Sequence, residues 1–190
     1  MSGDSVKIIK EKIRTKILLR LRKQAEESRL QKSLLILKKL FACSEFKQAK
    51  TILFYASFDG EVETLEMMKQ SLTLGKKIAL PSIHMKDKTI LPTYIHNLEE
   101  DLILGSYGIA ESRHKGLHPV ACDEIDLSVV PGVAFDRDNY RLGRGAGYYD
   151  RFLSRLSKAV PAIGLAFDFQ IVSRLPRQEH DIPMTSVITG

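Results

Sequence analysis

The stretch that decides the fold is Thr51-Ile-Leu-Phe-Tyr-Ala-Ser-Phe-Asp-Gly-Glu-Val-Glu-Thr-Leu-Glu-Met-Met-Lys-Gln-Ser-Leu-Thr-Leu-Gly-Lys-Lys-Ile-Ala-Leu-Pro81. Residues 51–56 form a short apolar run rich in β-forming residues, which predicts a buried strand. Residues 64–74 have apolar side chains at helical spacing and precede Gly75, the usual residue after a helix. Because residues 77–81 are again apolar, the stretch predicts a strand, a helix and a second strand.

Further strands are predicted towards the C-terminus, at 89–95, 127–130, 162–166 and 186–189. A helix is predicted over 147–156, whereas 96–125 is mostly loop with short elements that the pattern does not assign. This alternation predicts an α/β fold: a mostly parallel sheet flanked by helices on both faces, a Rossmann-like three-layer sandwich. In such folds ligands bind at the carboxyl ends of the strands.

Two basic helices are predicted before residue 51, as a helical hairpin. Asp4 or Ser5 can cap the first, whose apolar stripe is Val6, Ile9, Ile13, Ile17 and Leu21. The second begins after Ser28, with a predicted buried side of Leu30, Leu34, Leu37 and Phe41. Lys10 and Arg14 are four residues apart, so both project from one face beside the first stripe.

The composition predicts one globular domain over residues 1–190. The formal net charge is +6, but residues 1–50 alone carry +9 and the remainder carries −3. A basic segment of this kind is usually a solvated helical face. The alternative is an anionic ligand nearby, either nucleic acid or a phosphorylated or polyglutamylated small molecule.

Cysteine content and hydropathy indicate the compartment. Cys43 and Cys122 are far apart and lack a CxxC partner, which argues against a zinc site or a disulfide framework. No apolar run approaches the roughly 18 residues that span a bilayer, and charged residues occupy the place of a signal peptide's apolar stretch. We expect a cytoplasmic protein without a membrane partner.

The richest motif is Pro131-Gly-Val-Ala-Phe-Asp-Arg-Asp-Asn-Tyr-Arg-Leu-Gly-Arg-Gly-Ala-Gly-Tyr-Tyr-Asp-Arg151. Its glycines 143, 145 and 147 precede a predicted helix, and glycines let backbone N–H groups approach an anion. Arg141 and Arg144 can add bidentate contacts to phosphate or carboxylate. The motif is neither a Walker A loop nor a dinucleotide fingerprint, and on spacing alone the glycines could simply shape a tight turn.

Residues 130–136 and 141–151 resemble the signature of the 5-formyltetrahydrofolate cyclo-ligase family. The pair Lys10 and Arg14, the segment 60–64 and the segment 179–181 resemble family positions in the same order, so the resemblance spans nearly the whole chain. It implies the ATP-dependent cyclisation of 5-formyltetrahydrofolate (folinic acid) to 5,10-methenyltetrahydrofolate. ADP and phosphate are released, and the reaction passes through a phosphorylated formyl, or iminium phosphate, intermediate.

The resemblance also implies the site residues. ATP is bound by Lys10, Arg14, Arg141, Leu142, Gly143, Arg144, Gly145, Ala146, Gly147, Tyr148 and Tyr149. The reduced folate is bound by Ala56, Glu61, Arg144, Gly145, Gly147 and Tyr148. The implied catalytic residues are Arg144 and Tyr148. Asp150 and Asp181 are the implied ligands of Mg²⁺, a cation that prefers carboxylate oxygens shared with phosphates and water.

Each residue also has an ordinary structural interpretation. Glu61 could stabilise a helix N-terminus. Asp150 could pair with a neighbouring arginine, and Asp181 could cap a turn. Tyr148 and Tyr149 could be core aromatics, and the pair Lys10 and Arg14 could be solvent-facing charges.

One residue departs from the family pattern, because Asn139 stands where glycine is usual. Asn adopts left-handed backbone most readily among non-glycine residues, so we expect this turn to be retained.

Two other classes of protein remain open from the residues alone. A nucleic-acid-binding module would suit the basic helices, although aromatic residues are not interleaved with the basic ones. A sugar-phosphate or acyl-CoA enzyme could use a similar scaffold, because a fold does not choose among phosphorylated ligands. The resemblance favours small-molecule substrates, and we expect a monomer without a nucleic-acid partner.

Overall fold

The computed structural model of the protein describes residues 3–84, 86–104, 110–112 and 118–190. The helices are α1 (Gly3–Lys23), α2 (Glu26–Ala42), α3 (Ser44–Gln48), α4 (Leu65–Thr73), α5 (Leu98–Asp101) and α6 (Tyr148–Leu153). The strands are β1 (Thr51–Leu53), β2 (Lys77–His84), β3 (Thr89–Ile95), β4 (Leu102–Leu104), β5 (Ala110–Ser112), β6 (Leu127–Val130), β7 (Ala134–Asp136), β8 (Arg141–Leu142), β9 (Ala162–Ala166), β10 (Ile171–Val172) and β11 (Ser186–Thr189).

Six strands form the main sheet, in the order β11-β9-β6-β1-β2-β3. Neighbouring strands are parallel, except that β3 runs antiparallel to β2. From β1 the chain adds β2 and β3 on one side and β6, β9 and β11 on the other, so the strand order reverses between β1 and β6. Open α/β sheets bind their ligands outside the carboxyl ends of strands at such a reversal.

Alternating side chains of the strands enter two hydrophobic cores, one on each face of the sheet. In β1, Ile52 joins the first core and Leu53 joins the second. The first core is covered by α1 to α4, through Leu21, Ile36, Phe46 and Met67. The second core is covered by α6, through Phe152 and Leu153. The predicted three-layer arrangement is therefore confirmed, with the helices distributed unevenly between the two faces.

The predicted buried side of the second helix was wrong in part. Leu30 and Leu34 are 40% and 48% exposed, and the buried residues of α2 are Ser33, Ile36, Leu37 and Leu40. The buried face of α2 is thus rotated around the helix relative to the predicted one, and it includes the polar residue Ser33. Its hydroxyl donates to the Arg29 carbonyl at 2.8 Å and accepts from the Glu63 amide at 3.0 Å. A polar side chain thus joins α2 to the segment that follows β1.

A small second sheet, which the sequence did not predict, supports the glycine-rich motif. Strand β7 pairs antiparallel with β8 and parallel with β10. Asp136 ends β7 and accepts hydrogen bonds from the amides of Tyr140 and Leu175, each at 3.0 Å. Asn139 has a φ of +64°, which confirms the predicted left-handed turn. The motif's aspartate therefore shapes the turn that leads into the glycines.

The predicted helix at 147–156 is shorter than expected, because α6 ends at Leu153. In the unassigned stretch 96–125 the structure has α5 and the pair β4 and β5, while 105–109 and 113–117 lie outside the described residues. None of the helices in the described part of the chain is both long enough and apolar enough to cross a membrane.

Candidate active site

A cavity of about 370 Å³ lies where the strand order reverses. Residues 55–56, just beyond β1, and 131–132, just beyond β6, line it, and every site residue predicted from the sequence lines it as well. The structure thereby brings together residues from four separate segments of the chain. The sequence did not predict the apolar residues that the β2–β3 hairpin contributes, Leu80, Pro81, Ile83 and Ile90.

The glycine-rich turn 143–147 is held from both ends. Arg14 Nε donates to the Gly143 carbonyl at 2.9 Å, and Arg151 Nη2 donates to the Ala146 carbonyl at 2.8 Å. Gly145, at the middle of the turn, has a φ of +113°, a backbone conformation that side chains with a Cβ rarely adopt. Residues 144–146 are exposed between these anchors. Helix α6 has only six residues, so its N-terminus contributes little to anion binding. The turn and its arginines therefore offer the main contacts for an anion.

Helix α1 places two cations at the cavity. Lys10 is 8% exposed, and its Nζ lies 2.8 Å from Asp181 Oδ2 and 3.2 Å from Gln178 Oε1. The Arg14 side chain is 15% exposed. The interpretation of these two residues as solvent-facing charges is therefore wrong, because α1 docks with this face towards the cavity.

Arg141 and Asp150 form a second buried pair, with 3.0 Å between Nη2 and Oδ2. Asp150 Oδ1 is also buried, and no hydrogen-bond partner for it is found among the described residues. An unpartnered carboxylate oxygen facing a cavity suits a bound cation. Within the described residues no cluster of three or more histidine, cysteine or acidic side chains could hold a metal ion. A cation here would complete its coordination with ligand phosphates and water.

The opposite side of the cavity holds a buried carboxyl group, Glu61, which is 6% exposed. Burial raises the pKa of Glu61 to about 7, although the Arg144 guanidinium, with Nη2 at 3.1 Å from Oε1, acts in the opposite direction. Burial also raises the pKa of the Tyr149 hydroxyl, and the Glu61 carboxylate raises it further. This side of the cavity can therefore hold a proton near neutral pH.

Arg144 belongs to the glycine-rich turn but extends across the cavity. Its Nη1 lies 2.9 Å from Asp59 Oδ2, and its guanidinium stacks on the Phe58 ring at 4.0 Å from the ring centroid. We call Lys10, Arg14 and residues 141–147 the basic wall. The acidic wall is the loop 56–61, of which Ala56, Phe58 and Glu61 line the cavity. Arg144 starts from the basic wall and contacts the acidic one, a pairing that spacing along the chain does not predict.

The fold and the cavity define a class: an α/β protein with an anion-binding cleft at the reversal point of its sheet, the geometry of enzymes that act on phosphorylated ligands. Residues 6–190 match the 5-formyltetrahydrofolate cyclo-ligase family. The chain belongs to this family and is an enzyme of the ligase class.

Individual relatives agree with this placement. The 5-formyltetrahydrofolate cyclo-ligase of Haemophilus influenzae is 32% identical over 180 residues, which cover 94% of this chain and 92% of the relative. The Escherichia coli protein of the same name is 34% identical over 143 residues, 74% of this chain and 78% of the relative. The solution structure of 5,10-methenyltetrahydrofolate synthetase from Aquifex aeolicus is similar to this fold, with a TM-score of 0.82 at 34% identity, covering 95% of this chain and 89% of that one.

Proposed function

We propose that the protein converts 5-formyltetrahydrofolate to 5,10-methenyltetrahydrofolate with consumption of ATP and release of ADP and phosphate. One observation carries the proposal. A single cavity has a basic wall suited to a triphosphate and an acidic wall with a buried, proton-holding carboxyl group, and Arg144 joins the two. Family membership supports the same reaction.

On the basic wall we assign the nucleotide to Lys10, Arg14 and the turn 141–149. Lys10 and Arg141 are 8% exposed each, so their charges act with little screening by solvent. The positive φ angles of Gly145 and Gly147 shape a turn whose backbone can approach phosphate oxygens closely. Arginine adds a planar fork of donors that matches a phosphate.

The charge balance of the cavity supports Mg²⁺ as the accompanying cation. Lys10 and Arg141 are each already paired with a carboxylate, Asp181 and Asp150 respectively. A triphosphate entering this site brings more negative charge beside those carboxylates, so a divalent cation is required to relieve the repulsion. Asp150, whose buried Oδ1 has no hydrogen-bond partner among the described residues, is the first proposed ligand, and Asp181 is the second. The ion would supply charge neutralisation at the phosphates.

On the acidic wall we assign the reduced folate to Ala56 and Glu61. A carboxyl group with a pKa near 7 can donate a hydrogen bond when protonated and accept one when ionised, which suits the amide and amine groups of a reduced pterin. Leu80, Ile83 and Ile90 offer an apolar surface for flat rings beside these polar groups. Tyr148, at the end of the turn, is shared between the two ligands.

The proposed chemistry needs no protein nucleophile. The formyl oxygen of the folate attacks the γ-phosphorus of ATP, and ADP leaves, which gives the iminium phosphate. N10 then attacks the formyl carbon and loses its proton, the ring closes, and the C–O bond breaks so that the formyl oxygen departs with the phosphate. The protein positions the two substrates and neutralises charge, the usual work of phosphoryl-transfer enzymes. Because Arg144 extends from the basic wall to the acidic wall, we assign it to the transferred phosphoryl group.

The direct test is the growth of methenyl absorbance when the protein is mixed with Mg-ATP and 5-formyltetrahydrofolate. We expect turnover that stops when ATP is omitted and falls sharply when EDTA removes Mg²⁺. A thermal-shift panel with ribose 5-phosphate and coenzyme A tests the alternative phosphorylated ligands. Stabilisation by either of these, without stabilisation by Mg-ATP or the folate, would contradict the proposal.

The proposal includes a single catalytic domain that acts as a cytoplasmic monomer without a nucleic-acid partner. Support for one domain comes from α1 and α2, which pack on the core of a sheet whose strands are drawn from residues 51–189. Sedimentation should give the mass of one chain. A salt-sensitive mobility shift with generic DNA or RNA would contradict the absence of a nucleic-acid partner.

A further inference from the structure

The acidic wall is fastened to the C-terminal end of α1. Asp59 and Gly60 have φ angles of +54° and +84°, so the chain turns sharply after β1. A Cβ on Gly60 would collide with the Leu21 carbonyl, and Gln24 Nε2 donates to the Gly60 carbonyl at 3.3 Å. The backbone of this loop therefore lies directly against the last turn of α1.

Asp59 is shared between two arginines, one from α1 and one from the glycine-rich turn. Arg22 contacts it bidentately, with Nε at 2.7 Å from Oδ1 and Nη2 at 2.9 Å from Oδ2. Arg144 Nη1 lies 2.9 Å from the same Oδ2. The hydrogen bond from Arg22 lowers the pKa of Asp59, and Arg144 lowers it further. Asp59 is thus an anion near neutral pH, whereas Glu61, two residues along, titrates there.

These contacts fix the plane of the Arg144 guanidinium. Nη2 and Nε face Glu61 at 3.1 and 3.4 Å, Nη1 faces Asp59, and the flat side rests on Phe58. Asp59 and Arg22 do not line the cavity, whereas Arg144 and Glu61 do. Asp59 and Arg22 therefore act on bound ligands indirectly, through Arg144, through the loop and through the Asp59 charge, which helps to raise the pKa of Glu61.

We propose that Asp59 and Arg22 are positioning residues, which hold Arg144 at the junction between the nucleotide and the folate. The inference rests on the proposed function, because it assigns a task to this pair within that reaction. Without the pair, Arg144 keeps its charge and its contact with Glu61, but its Nη1 loses the hydrogen bond to Asp59. Its guanidinium then samples orientations that do not face the transferred phosphate.

The test compares Arg22→Ala and Asp59→Asn with Lys23→Ala, which removes the same positive charge as Arg22→Ala from the same turn of α1 at an exposed position. We expect kcat to fall about threefold in Arg22→Ala and about tenfold in Asp59→Asn, with the KM for Mg-ATP within about twofold of wild type. The Lys23→Ala variant should keep wild-type values. Arg22→Lys, which keeps the positive charge and can still donate to Asp59 but lacks the planar two-point fork, should recover part of the lost kcat.

Two further readouts separate positioning from simple loss of stability. The variant that carries both Arg22→Ala and Asp59→Asn should have a kcat no lower than that of Asp59→Asn alone, because the two changes remove the same interaction. The Nε–H signal of Arg144 in a ¹⁵N spectrum should be sharp in wild type and broadened in Asp59→Asn, even in the absence of substrates. Absence of turnover in wild type would overturn the proposed function. Variants matching Lys23→Ala in an active background, or an unchanged Arg144 signal, would overturn this inference alone.

Discussion

The two walls of the cavity manage charge in different ways. On the basic wall each buried cation has a carboxylate partner, as in Lys10 with Asp181 and Arg141 with Asp150, so charges are held in fixed pairs. On the acidic wall the buried Glu61 has a pKa of about 7 despite its contact with Arg144. In the proposed function, one wall binds the charged nucleotide and the other places a titrating carboxyl group beside the folate. Three experiments can break or sharpen this comparison.

The largest effect is expected where the walls meet. Arg144→Ala should lower kcat/KM by about two to three orders of magnitude, because it removes a preorganised donor from the site of developing charge. Arg144→Lys keeps the charge without the planar fork and should recover only part of the loss. Steady-state methenyl formation measures the rate, and circular dichroism checks the fold. An unimpaired rate in a folded Arg144→Ala variant would remove Arg144 from the mechanism.

On the acidic wall, the titration of Glu61 should make the stability of the protein depend on pH. Because the pKa of Glu61 in the folded protein is about 7 and its ordinary value is 4.5, its stabilising contribution is present below about pH 4.5 and is lost as pH rises through about 7. The glutamine in Glu61→Gln does not titrate, so the variant should become more stable relative to wild type as pH rises over this range. The gain in the free energy of unfolding should reach at most about 3 kcal/mol by pH 8, measured by urea titration.

Glu63 serves as a matched control, because its pKa is shifted in the opposite direction from that of Glu61. Burial acts to raise the pKa of Glu63, but hydrogen bonds from Ser57, the Leu65 amide and Arg29 outweigh it, so the pKa is lowered. Its stabilising contribution is therefore present above its ordinary pKa of 4.5 and is lost on acidification. Glu63→Gln should thus be destabilised at neutral pH, with the difference closing in acid. Parallel pH profiles for the Glu61 and Glu63 variants would contradict the assignment of protons to Glu61.

A smaller effect is expected on the basic wall. Lys10→Met should raise the KM for Mg-ATP about tenfold and leave kcat nearly unchanged, since one of several cations is lost from ground-state binding. Lys12→Met, an exposed lysine on the same helix, serves as the control and should behave like wild type. A rise in the folate KM with an unchanged ATP KM would show that Lys10 serves the other substrate.

The sequence predicted the strands better than the helical surfaces. Strands 89–95, 127–130, 162–166 and 186–189 have the predicted bounds, since each is an apolar, β-rich run with clear breaks. The buried face of α2 was misplaced because Ser33 is buried for its hydrogen bonds, which hydrophobic spacing does not detect. Strands β7, β8 and β10 have only two or three residues, too few to show a period.

For the site, the sequence predicted the residues but not their partners. Asn139 could be assigned left-handed backbone from its chemistry alone, because that preference is local. The contacts of Lys10 with Asp181 and of Arg144 with Asp59 join residues 171 and 85 positions apart. Such pairings depend on how α1 and the glycine-rich turn dock, and no local pattern encodes them. The pKa of Glu61 depends on the same docking, because it arises from burial.

Helix α1 contributes to both walls, through Lys10 and Arg14 in its middle and through Arg22 at its end. A single helix thus sets the distance between the two walls, to which the two substrates are assigned. A chimera that exchanged residues 3–23 with those of a relative would have to import the matching 56–61 loop and the matching 178–181 segment. Natural variation in these three segments should consequently be correlated rather than independent.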